Sequence, residues 1–163
     1  MISMVRIDDR LIHGQVAVMW SKQLGISRIV VASDKIAANE MQVNALKMAA
    51  PAGIKAFILP IQKAVDLLND PRAASMKILV LSNNPKDIYE VLQGINEKPL
   101  LNLANYGRIG GALSDKQKLA ETVYVTEEDK EVFKKIFDMG YDFEYQPLPS
   151  DTKQSLKELL GGK

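Results

Sequence analysis

Short apolar runs alternate with stretches of helical periodicity along the chain, and this alternation limits the possible folds more than any other feature of the sequence. The runs, rich in Val, Ile and Leu, occupy residues 4–7, 28–32, 56–59, 77–81, 100–104, 122–125 and 141–146. The first five have little polar alternation, which is typical of strands covered on both faces. In the seventh run Asp142 and Glu144 alternate with Phe143 and Tyr145. That strand is therefore expected to be half exposed and near an edge of the sheet.

Helical patterns fill the intervals between these runs. Residues 15–23 form an expected helix, and an Asn-Pro pair at 84–85 and a near capping box at 126–129 mark two further helix starts. Gly94 and Gly140 lie near helix ends, as expected for C-caps. Apolar residues recur three and four positions apart within 61–68, 88–95, 132–137 and 156–160.

Repeated strands and helices with short connections predict an α/β fold. We expect an open, mainly parallel sheet of six to seven strands with helices on both faces, a pattern that also allows an antiparallel edge strand. No linker or repeat divides the sequence, so residues 1–163 are predicted to form a single domain.

Composition excludes several kinds of chemistry. The chain has one histidine and no cysteine, which rules out disulfides, thiol nucleophiles, zinc fingers and iron–sulfur clusters. Its 21 basic and 20 acidic residues form no long run of one sign, so neither nucleic acid nor an anionic membrane is an expected partner. No apolar stretch approaches the roughly eighteen residues of a membrane span, and the amino terminus lacks the apolar segment of a signal peptide. A cytoplasmic protein that does not itself span the membrane is predicted.

The polar residues that follow the strands define a candidate site, because ligands of such sheets bind at the carboxyl ends of the strands. The first strand is followed by the densest group, which contains two carboxylates, a guanidinium and the sole imidazole, and the fourth and fifth strands add hydroxyl and amide groups. The residues are Asp8, Asp9, Arg10, His13 and Gly14, then Ser82 and Asn83, then Asn105.

These residue types fit a histidine that accepts a phosphoryl group. The planar guanidinium of Arg10 suits phosphoryl oxygens, and Ser82 with the amides around Asn83 is expected to supply neutral donors. Asp9 is expected to accept a hydrogen bond from one ring nitrogen of His13, which leaves the other nitrogen free to attack. The alternative is that His13 is only a helix-start residue in a salt-bridged turn, with Arg10 paired to Asp8 or Asp34.

Other conspicuous residues have simpler interpretations. Trp20 is predicted to belong to the core, and Met41, Met48 and Met76 to packing. The glycine-rich residues 107–111 match neither a Rossmann fingerprint nor a P-loop, and are predicted to form a mobile loop that closes over the site.

Residues 5–16 read Val-Arg-Ile-Asp-Asp-Arg-Leu-Ile-His-Gly-Gln-Val. This run resembles the active-site signature of the IIB component of the mannose-type sugar phosphotransferase system, a family that includes fructose-, sorbose- and N-acetylgalactosamine-type transporters. The resemblance continues through residues 27–34, 49–53, 82–85, 102–107 and 123–129, so it covers essentially the whole chain.

The resemblance implies a protein-Npi-phosphohistidine–sugar phosphotransferase. His13 would take a phosphoryl group on Nδ1 from a phosphohistidine of the IIA protein and pass it to a sugar held by the membrane components IIC and IID. Arg10 would neutralise the phosphate, Asp9 and Gly14 would belong to the phosphate-holding loop, and the turn at Ser82 would form a wall of the site. The covalent phosphohistidine would be the only intermediate, with no cofactor.

The loop after the fifth strand departs from the family pattern, in which Asn-x-Gly is commonly followed by Asn or Gly and then by Met or His. Here residues 102–107 read Asn-Leu-Ala-Asn-Tyr-Gly, which argues against a second aromatic or imidazole role and leaves Asn105 as a donor.

Such a carrier would be cytoplasmic and peripherally associated with the membrane transporter. The face around His13 would dock IIA and the membrane components in turn, with Arg6, Lys22, Arg108 and Lys116 as candidates for its rim. The alternative function is a small-ligand or nucleotide-binding α/β module without turnover, or a regulatory relative that has lost transfer.

Overall fold

A computed structural model describes residues 1–161, in which a seven-stranded sheet organises the chain. The strands are β1 Ile2–Ile7, β2 Arg28–Ala32, β3 Lys55–Leu59, β4 Ile78–Ser82, β5 Leu101–Leu103, β6 Gln117–Ala120, β7 Val123–Val125, β8 Phe143–Tyr145 and β9 Gln154–Ser155. The helices are α1 Gly14–Leu24, α2 Asp34–Ala37, α3 Glu40–Ala49, α4 Ile61–Asn69, α5 Pro85–Gly94, α6 Glu127–Asp138 and α7 Leu156–Leu159.

The main sheet has the order β3-β2-β4-β1-β5-β8-β9, and every neighbouring pair is parallel except β8 with β9. The predicted open, mainly parallel sheet is therefore confirmed, and its antiparallel edge strand is β9. The run at 141–146 forms β8, which lies one strand inside that edge. Phe143 and Tyr145 are buried there and Glu144 is half-buried, so the predicted half-exposed pattern is confirmed.

Alternate residues of the central strands enter two separate cores. On one face Val30 and Val80 pack with the apolar residues of α4, α5 and α6. On the other, Val31 and Leu79 pack with α1, α2 and Trp20. Helices on both faces are thus confirmed, and Trp20, 3% exposed, belongs to the core as predicted.

One predicted strand is placed differently. The run at 122–125 forms β7, which pairs antiparallel with β6 in a separate two-stranded sheet. An isolated bridge between Tyr106 and Val123, and hydrogen bonds from the Thr122 hydroxyl to the Ala104 carbonyl and with the Tyr145 hydroxyl, join it to the end of the main sheet. A three-residue strand is too short to show from sequence which sheet it joins, because its partner depends on the loop that precedes it.

Two helix starts are as predicted from the sequence, whereas two helices and the burial of two methionines are not. Asn84 caps α5 and Thr126 forms a capping box with Asp129 at α6, as predicted. The sequence patterns missed α2 and α3. On α3 the side chains of Met41 and Met48 are 82% and 86% exposed, so the packing interpretation of these two residues was wrong.

Gly140, with φ +94°, follows α6 in the left-handed conformation expected of a helix end. Gly94 does not have a positive φ, and its role is close packing. A Cβ at Gly94 would lie 2.8 Å from Cγ1 of Val65 on α4, so the glycine lets α4 and α5 approach.

None of the helices within residues 1–161 is long and apolar enough to cross a membrane. Gly162 and Lys163, the last two residues of the predicted domain, lie outside the described residues.

Replacing Gly94 by alanine tests the close packing of α5 against Val65 of α4. The change normally stabilises a helix by up to about 1 kcal/mol. Here we expect a net loss of roughly 1–2 kcal/mol, because the new methyl group overlaps Val65. Urea unfolding of Gly94→Ala, Val65→Ala and the double variant measures this. The double variant should be more stable than the sum of the single effects predicts, and strict additivity would contradict the contact.

Candidate active site

The predicted site residues lie together at the carboxyl ends of the three central strands β1, β4 and β5. Ile7, the last residue of β1, lies between Ser82 of β4 and Leu103 of β5. The next residue of the chain continues this contact, since the Asp8 backbone N–H donates to the Ser82 carbonyl at 3.0 Å. On the other side the Asp9 N–H donates to the Asn105 carbonyl at 2.8 Å. The loop after β1 is thus held by both neighbouring strands.

A tight turn shapes this loop. The N–H of Leu11 donates to the Asp8 carbonyl at 2.9 Å, and Leu11 has φ +57°, a left-handed conformation that costs a non-glycine residue roughly 1–2 kcal/mol. Burial offsets this strain, because Leu11 and Ile12 are 8% and 3% exposed and belong to the core that contains Trp20. The turn therefore anchors two apolar side chains while the residues on either side, Arg10 and His13, retain contact with solvent.

The Asp8 carboxylate is fully buried and organises the polar residues around it. Its Oδ2 accepts hydrogen bonds from Nη2 of Arg6 at 3.2 Å and from Nδ2 of Asn105 at 3.4 Å. Its Oδ1 accepts the backbone N–H of Arg10 at 3.0 Å and lies 3.9 Å from Nε of that side chain. One carboxylate thus contacts groups from β1, the site loop and the loop after β5.

Arg6 is the buried counter-ion of this carboxylate. Its side chain is 2% exposed and lies on the same face of β1 as Met4. It donates to Oδ1 of Asn102 at 2.6 Å and to the Pro147 carbonyl at 3.0 Å, and its guanidinium carbon lies 5.2 Å from the Trp20 ring centroid. Burial lowers the pKa of Arg6 to about 10, so the group remains protonated at neutral pH.

The placement of Arg6 on the rim of a docking face was therefore wrong. A single charge inside an otherwise apolar strand was the available signal, since such a charge must be paired when both faces of the sheet are covered. Asp8, which the sequence offered only as one possible partner of Arg10, has the central position.

Arg10 is the exposed guanidinium of the site. Its side chain is 53% exposed, and its nearest carboxylate is Asp8. Asp34, the other partner considered from sequence, instead accepts the Ile61 N–H at 2.8 Å. Because the Arg10 backbone is held at Asp8 and the side-chain contact is long, the fork of N–H donors remains open to an anion.

His13 precedes α1 as its N-cap residue, and its ring is partly buried. Nδ1 lies 3.2 Å from the Leu11 carbonyl, and Nε2 is buried with no hydrogen-bond partner within residues 1–161. A carbonyl can only accept, so this contact places a proton on Nδ1, and the lone pair of the neutral imidazole is then on Nε2. The predicted hydrogen bond between Asp9 and the His13 ring is absent from the described residues, and the Leu11 carbonyl takes its place.

Asp9 serves the neighbouring loop instead. Its Oδ2 accepts the N–H of Gly107 at 3.2 Å. Burial, followed by the negative charge of Asp8, raises the pKa of Asp9 to about 6. The residue therefore joins the two loops of the site rather than orienting the imidazole.

The residues after β4 are divided in their roles. Ser82 is fully buried, and its hydroxyl donates to the Asn84 carbonyl at 3.1 Å and accepts the Asn84 N–H at 3.3 Å. Ser82 is thus not a donor at the site surface, which corrects that prediction, because its hydroxyl is used to form the turn. Asn83 lines a cleft together with Asp9, and neither Arg10 nor His13 lines that cleft, so a contact of Asn83 with the phosphate stays a prediction. Gly14 is exposed and begins α1 with φ +47°.

Two cavities adjoin the loop, and Asp9 lines both. The smaller, about 330 Å³, is lined by Arg10, Asn105, Arg108 and Ile109 as well. The larger, about 620 Å³, extends between Asn83, the start of α2 and the start of α6. In it the hydroxyl of Tyr106 donates to Asp129 at 2.7 Å, and burial raises the pKa of Tyr106, which keeps the phenol protonated.

The glycine-rich residues 107–111 lie beside the site, held through Gly107 by Asp9 and through Lys116, whose Nζ donates to the Gly107 carbonyl at 2.6 Å. Their predicted mobility stays a prediction. Among residues 1–161, no three His, Asp or Glu side chains are grouped so that they could hold a metal ion.

Comparison with known proteins gives a consistent result. Residues 2–163 match the family described as the PTS system sorbose subfamily IIB component. A probable phosphotransferase enzyme IIB component of Streptococcus pyogenes is 37% identical over 162 residues, which are 98% of this chain and 99% of that protein.

The mannose-specific EIIAB component of Escherichia coli is 33% identical over 98% of this chain but only 48% of its own length, so the chain corresponds to about half of that protein. Among solved structures, the IIBSor domain of the sorbose permease of Klebsiella pneumoniae superposes with a TM-score of 0.90 at 26% identity, covering 99% of this chain and 97% of that one. The chain belongs to the sorbose subfamily of IIB components of the sugar phosphotransferase system.

Proposed function

We propose that this sugar phosphotransferase component carries the phosphoryl group on His13. The group comes from a phosphohistidine of the IIA protein and goes to a sugar bound by the membrane components IIC and IID. The observation that carries the proposal is the exposed Arg10 guanidinium, three residues before the sole histidine of the chain, on a backbone whose N–H is held by the buried Asp8 carboxylate. Positioning and charge neutralisation are what phosphoryl transfer requires of a protein.

The charge distribution supports this role. Arg6 balances Asp8 inside the protein, so the second guanidinium, Arg10, is not fully used by that carboxylate. A phosphoryl group is a dianion near neutral pH, and a planar guanidinium binds two of its oxygens at once. Asn105 lines the small cavity beside Arg10, and its amide, which donates one N–H to Asp8, has a second N–H to offer as a neutral donor.

The transfer consists of two displacements at phosphorus. In the first, the lone pair of a His13 ring nitrogen attacks the phosphorus, and the P–N bond to the donor imidazole breaks, returning its electron pair to that ring. In the second, a sugar hydroxyl oxygen attacks, its proton goes to a base that we place on IIC, and the P–N bond to His13 breaks. The P–N bond is reactive enough that the step requires neither ATP nor a bound metal.

The His13 ring must turn before it can react. With Nδ1 facing the Leu11 carbonyl and Nε2 buried, neither nitrogen presents a lone pair to an incoming phosphoryl group. Attack by Nδ1, which the family resemblance implies, requires that nitrogen to leave the carbonyl and the ring proton to move from Nδ1 to Nε2, by exchange with solvent once the ring has turned. We propose that the His13 ring turns when IIA docks.

The proposal places the chain in the cytoplasm, at the membrane transporter while it transfers to the sugar. Its docking face surrounds His13, and Arg108 and Lys116, in the loop beside the site, remain candidates for the rim. Lys22 does not fit that rim, because it lies in the last turn of α1, about 12 Å along the helix from the end that carries His13.

Substitution of His13 tests the proposal. Phosphoenolpyruvate, enzyme I, HPr and IIA should add one phosphoryl mass to the chain, in a bond that is labile to acid and stable to base. His13→Gln should abolish this gain while circular dichroism and thermal unfolding stay close to wild type. Mass spectrometry of the intact chain measures it. Labelling that survives the substitution would contradict the assignment, and nucleotide binding without labelling would favour the alternative binding module.

Removal of the Arg10 side chain should slow transfer. We expect Arg10→Ala to lower the rate of phosphoryl transfer from IIA by roughly ten- to hundredfold, the value of one or two lost charge-assisted hydrogen bonds. The matched control is Arg72→Ala, which removes an exposed guanidinium that pairs with Asp70 and precedes β4 at the opposite edge of the sheet. Quenched-flow kinetics measure the transfer rate of both variants. Equal rates for Arg10→Ala and Arg72→Ala would show that Arg10 does not act on the phosphoryl group.

The raised pKa of Asp9 predicts a pH dependence. Between the ordinary pKa near 4 and the folded value of about 6, the folded chain binds more protons than the unfolded chain. Stability attributable to this group is therefore present at low pH and is lost as the pH rises from about 4 to about 6. Asp9→Asn keeps the acceptor for Gly107 and should become more stable relative to wild type over that range, by roughly 1–2 kcal/mol.

Urea unfolding at several pH values measures this difference, and the carboxyl ¹³C resonance of Asp9 should titrate near pH 6 in the wild-type chain. A difference between the two proteins that does not change with pH would contradict the account.

A further inference from the structure

A second guanidinium lies in the small cavity beside the site loop. The cavity of about 330 Å³ is lined by Asp9, Arg10, Asn105, Arg108 and Ile109. Arg10 and Asn105 are residues of the proposed phosphoryl site, whereas Arg108 belongs to the loop after β5.

The backbone on the amino-terminal side of Arg108 is fixed. The Gly107 N–H donates to the Asp9 carboxylate at 3.2 Å, and the Gly107 carbonyl accepts from Nζ of Lys116 at 2.6 Å. Lys116 also donates to the Gly110 carbonyl. Arg108 thus lies between two carbonyls bound by one lysine, in a loop tied to the residue before Arg10.

Only glycine fits at the position before Arg108. Gly107 has φ +87°, and a Cβ there would lie 1.7 Å from the carbonyl oxygen of Tyr124. This oxygen belongs to the backbone of β7, and the N–H of Tyr124 in the same strand donates to the Tyr106 carbonyl. Moving the oxygen aside would therefore disturb a backbone hydrogen bond. The close approach of the loop to β7 determines the direction in which the chain leaves Gly107 and brings Arg108 to the cavity wall.

The charge of Arg108 is not compensated locally. No carboxylate within residues 1–161 forms an ion pair with it, and its side chain is exposed. The cavity therefore contains two guanidinium groups and one amide against the single carboxylate of Asp9. Two arginines that line one small cavity suit a tetrahedral dianion, which can accept hydrogen bonds from both guanidinium groups at once.

We propose that Arg108 is a second phosphoryl-binding residue that acts with Arg10 on the oxygens of the group in transit. This inference rests on the proposed phosphohistidine function. It assigns to Arg108 a contact with the reacting group, rather than a place on the rim of the partner interface.

The experiment compares Arg108→Ala, Arg108→Lys and the control Arg72→Ala in two assays. The first is binding of inorganic phosphate to the unphosphorylated chain, followed by ³¹P line broadening and calorimetry. We expect Arg108→Ala to weaken binding by roughly ten- to hundredfold, Arg108→Lys to restore part of it because the charge remains, and Arg72→Ala to match wild type.

The second assay is transfer from phosphorylated IIA, with the affinity for unphosphorylated IIA measured in parallel. Arg108→Ala should slow transfer at saturating IIA by roughly tenfold or more while that affinity is unchanged. Loss confined to IIA affinity would assign Arg108 to docking and overturn the proposal, as would phosphate binding and transfer equal to those of Arg72→Ala.

The two assays also separate this inference from the function on which it rests. A wild-type chain that IIA cannot phosphorylate would contradict the proposed function, whereas the phosphate-binding comparison would still decide whether Arg108 belongs to an anion site.

Discussion

The buried ion pair between Asp8 and Arg6 is the interaction on which the site depends. A carboxylate with no exposed surface is costly unless it is paired and hydrogen-bonded, and Asp8 has both forms of compensation. Because Arg6 neutralises the buried Asp8 carboxylate at the end of β1, that carboxylate can hold the Arg10 backbone and the Asn105 side chain in place. Arg6 is in turn held by Asn102, by the Pro147 carbonyl and by the face of Trp20, so these contacts extend into the core under α1.

The loop that carries His13 is rigid at its base and open at its tip. Leu11 accepts a left-handed conformation because it and Ile12 fill the core, and the neighbouring strands hold the loop at Asp8 and Asp9. The loop after β5 is fastened to this base through Gly107, and it places a second arginine at the same cavity. Among the described residues, the imidazole of His13 has one hydrogen-bond contact, from Nδ1 to the Leu11 carbonyl, and the proposed transfer through Nδ1 breaks that contact.

Much of this arrangement could be predicted from the sequence, since patterns that extend over many residues are informative. The alternation of strands and helices, the caps at Asn84 and Thr126 and the position of His13 and Arg10 after the first strand were all readable. Contacts that depend on which of several similar side chains makes them could not be predicted from the sequence. Asp8 and Asp9 are adjacent and chemically equal, and only the backbone of the turn after β1 determines that the first is buried beside Arg6 and the second accepts from Gly107. In the same way, Ser82 has the chemistry of a phosphate donor, but the turn after β4 uses its hydroxyl. The exposure of Met41 and Met48 could not be foreseen either, because α3 buries none of its residues completely.

The central claim is that the sole histidine carries the phosphoryl group, and nuclear magnetic resonance of the chain phosphorylated by IIA tests it most directly. With only one histidine in the chain, ¹⁵N labelling of that residue type gives two ring signals that need no further assignment. Before phosphorylation, the account predicts a protonated Nδ1 and an unprotonated Nε2. Afterwards, one ring nitrogen should show coupling to ³¹P, and the contact between Nδ1 and the Leu11 carbonyl should be lost. A phosphorylated chain whose histidine signals are unchanged, with the phosphorus attached to another residue, would contradict the account.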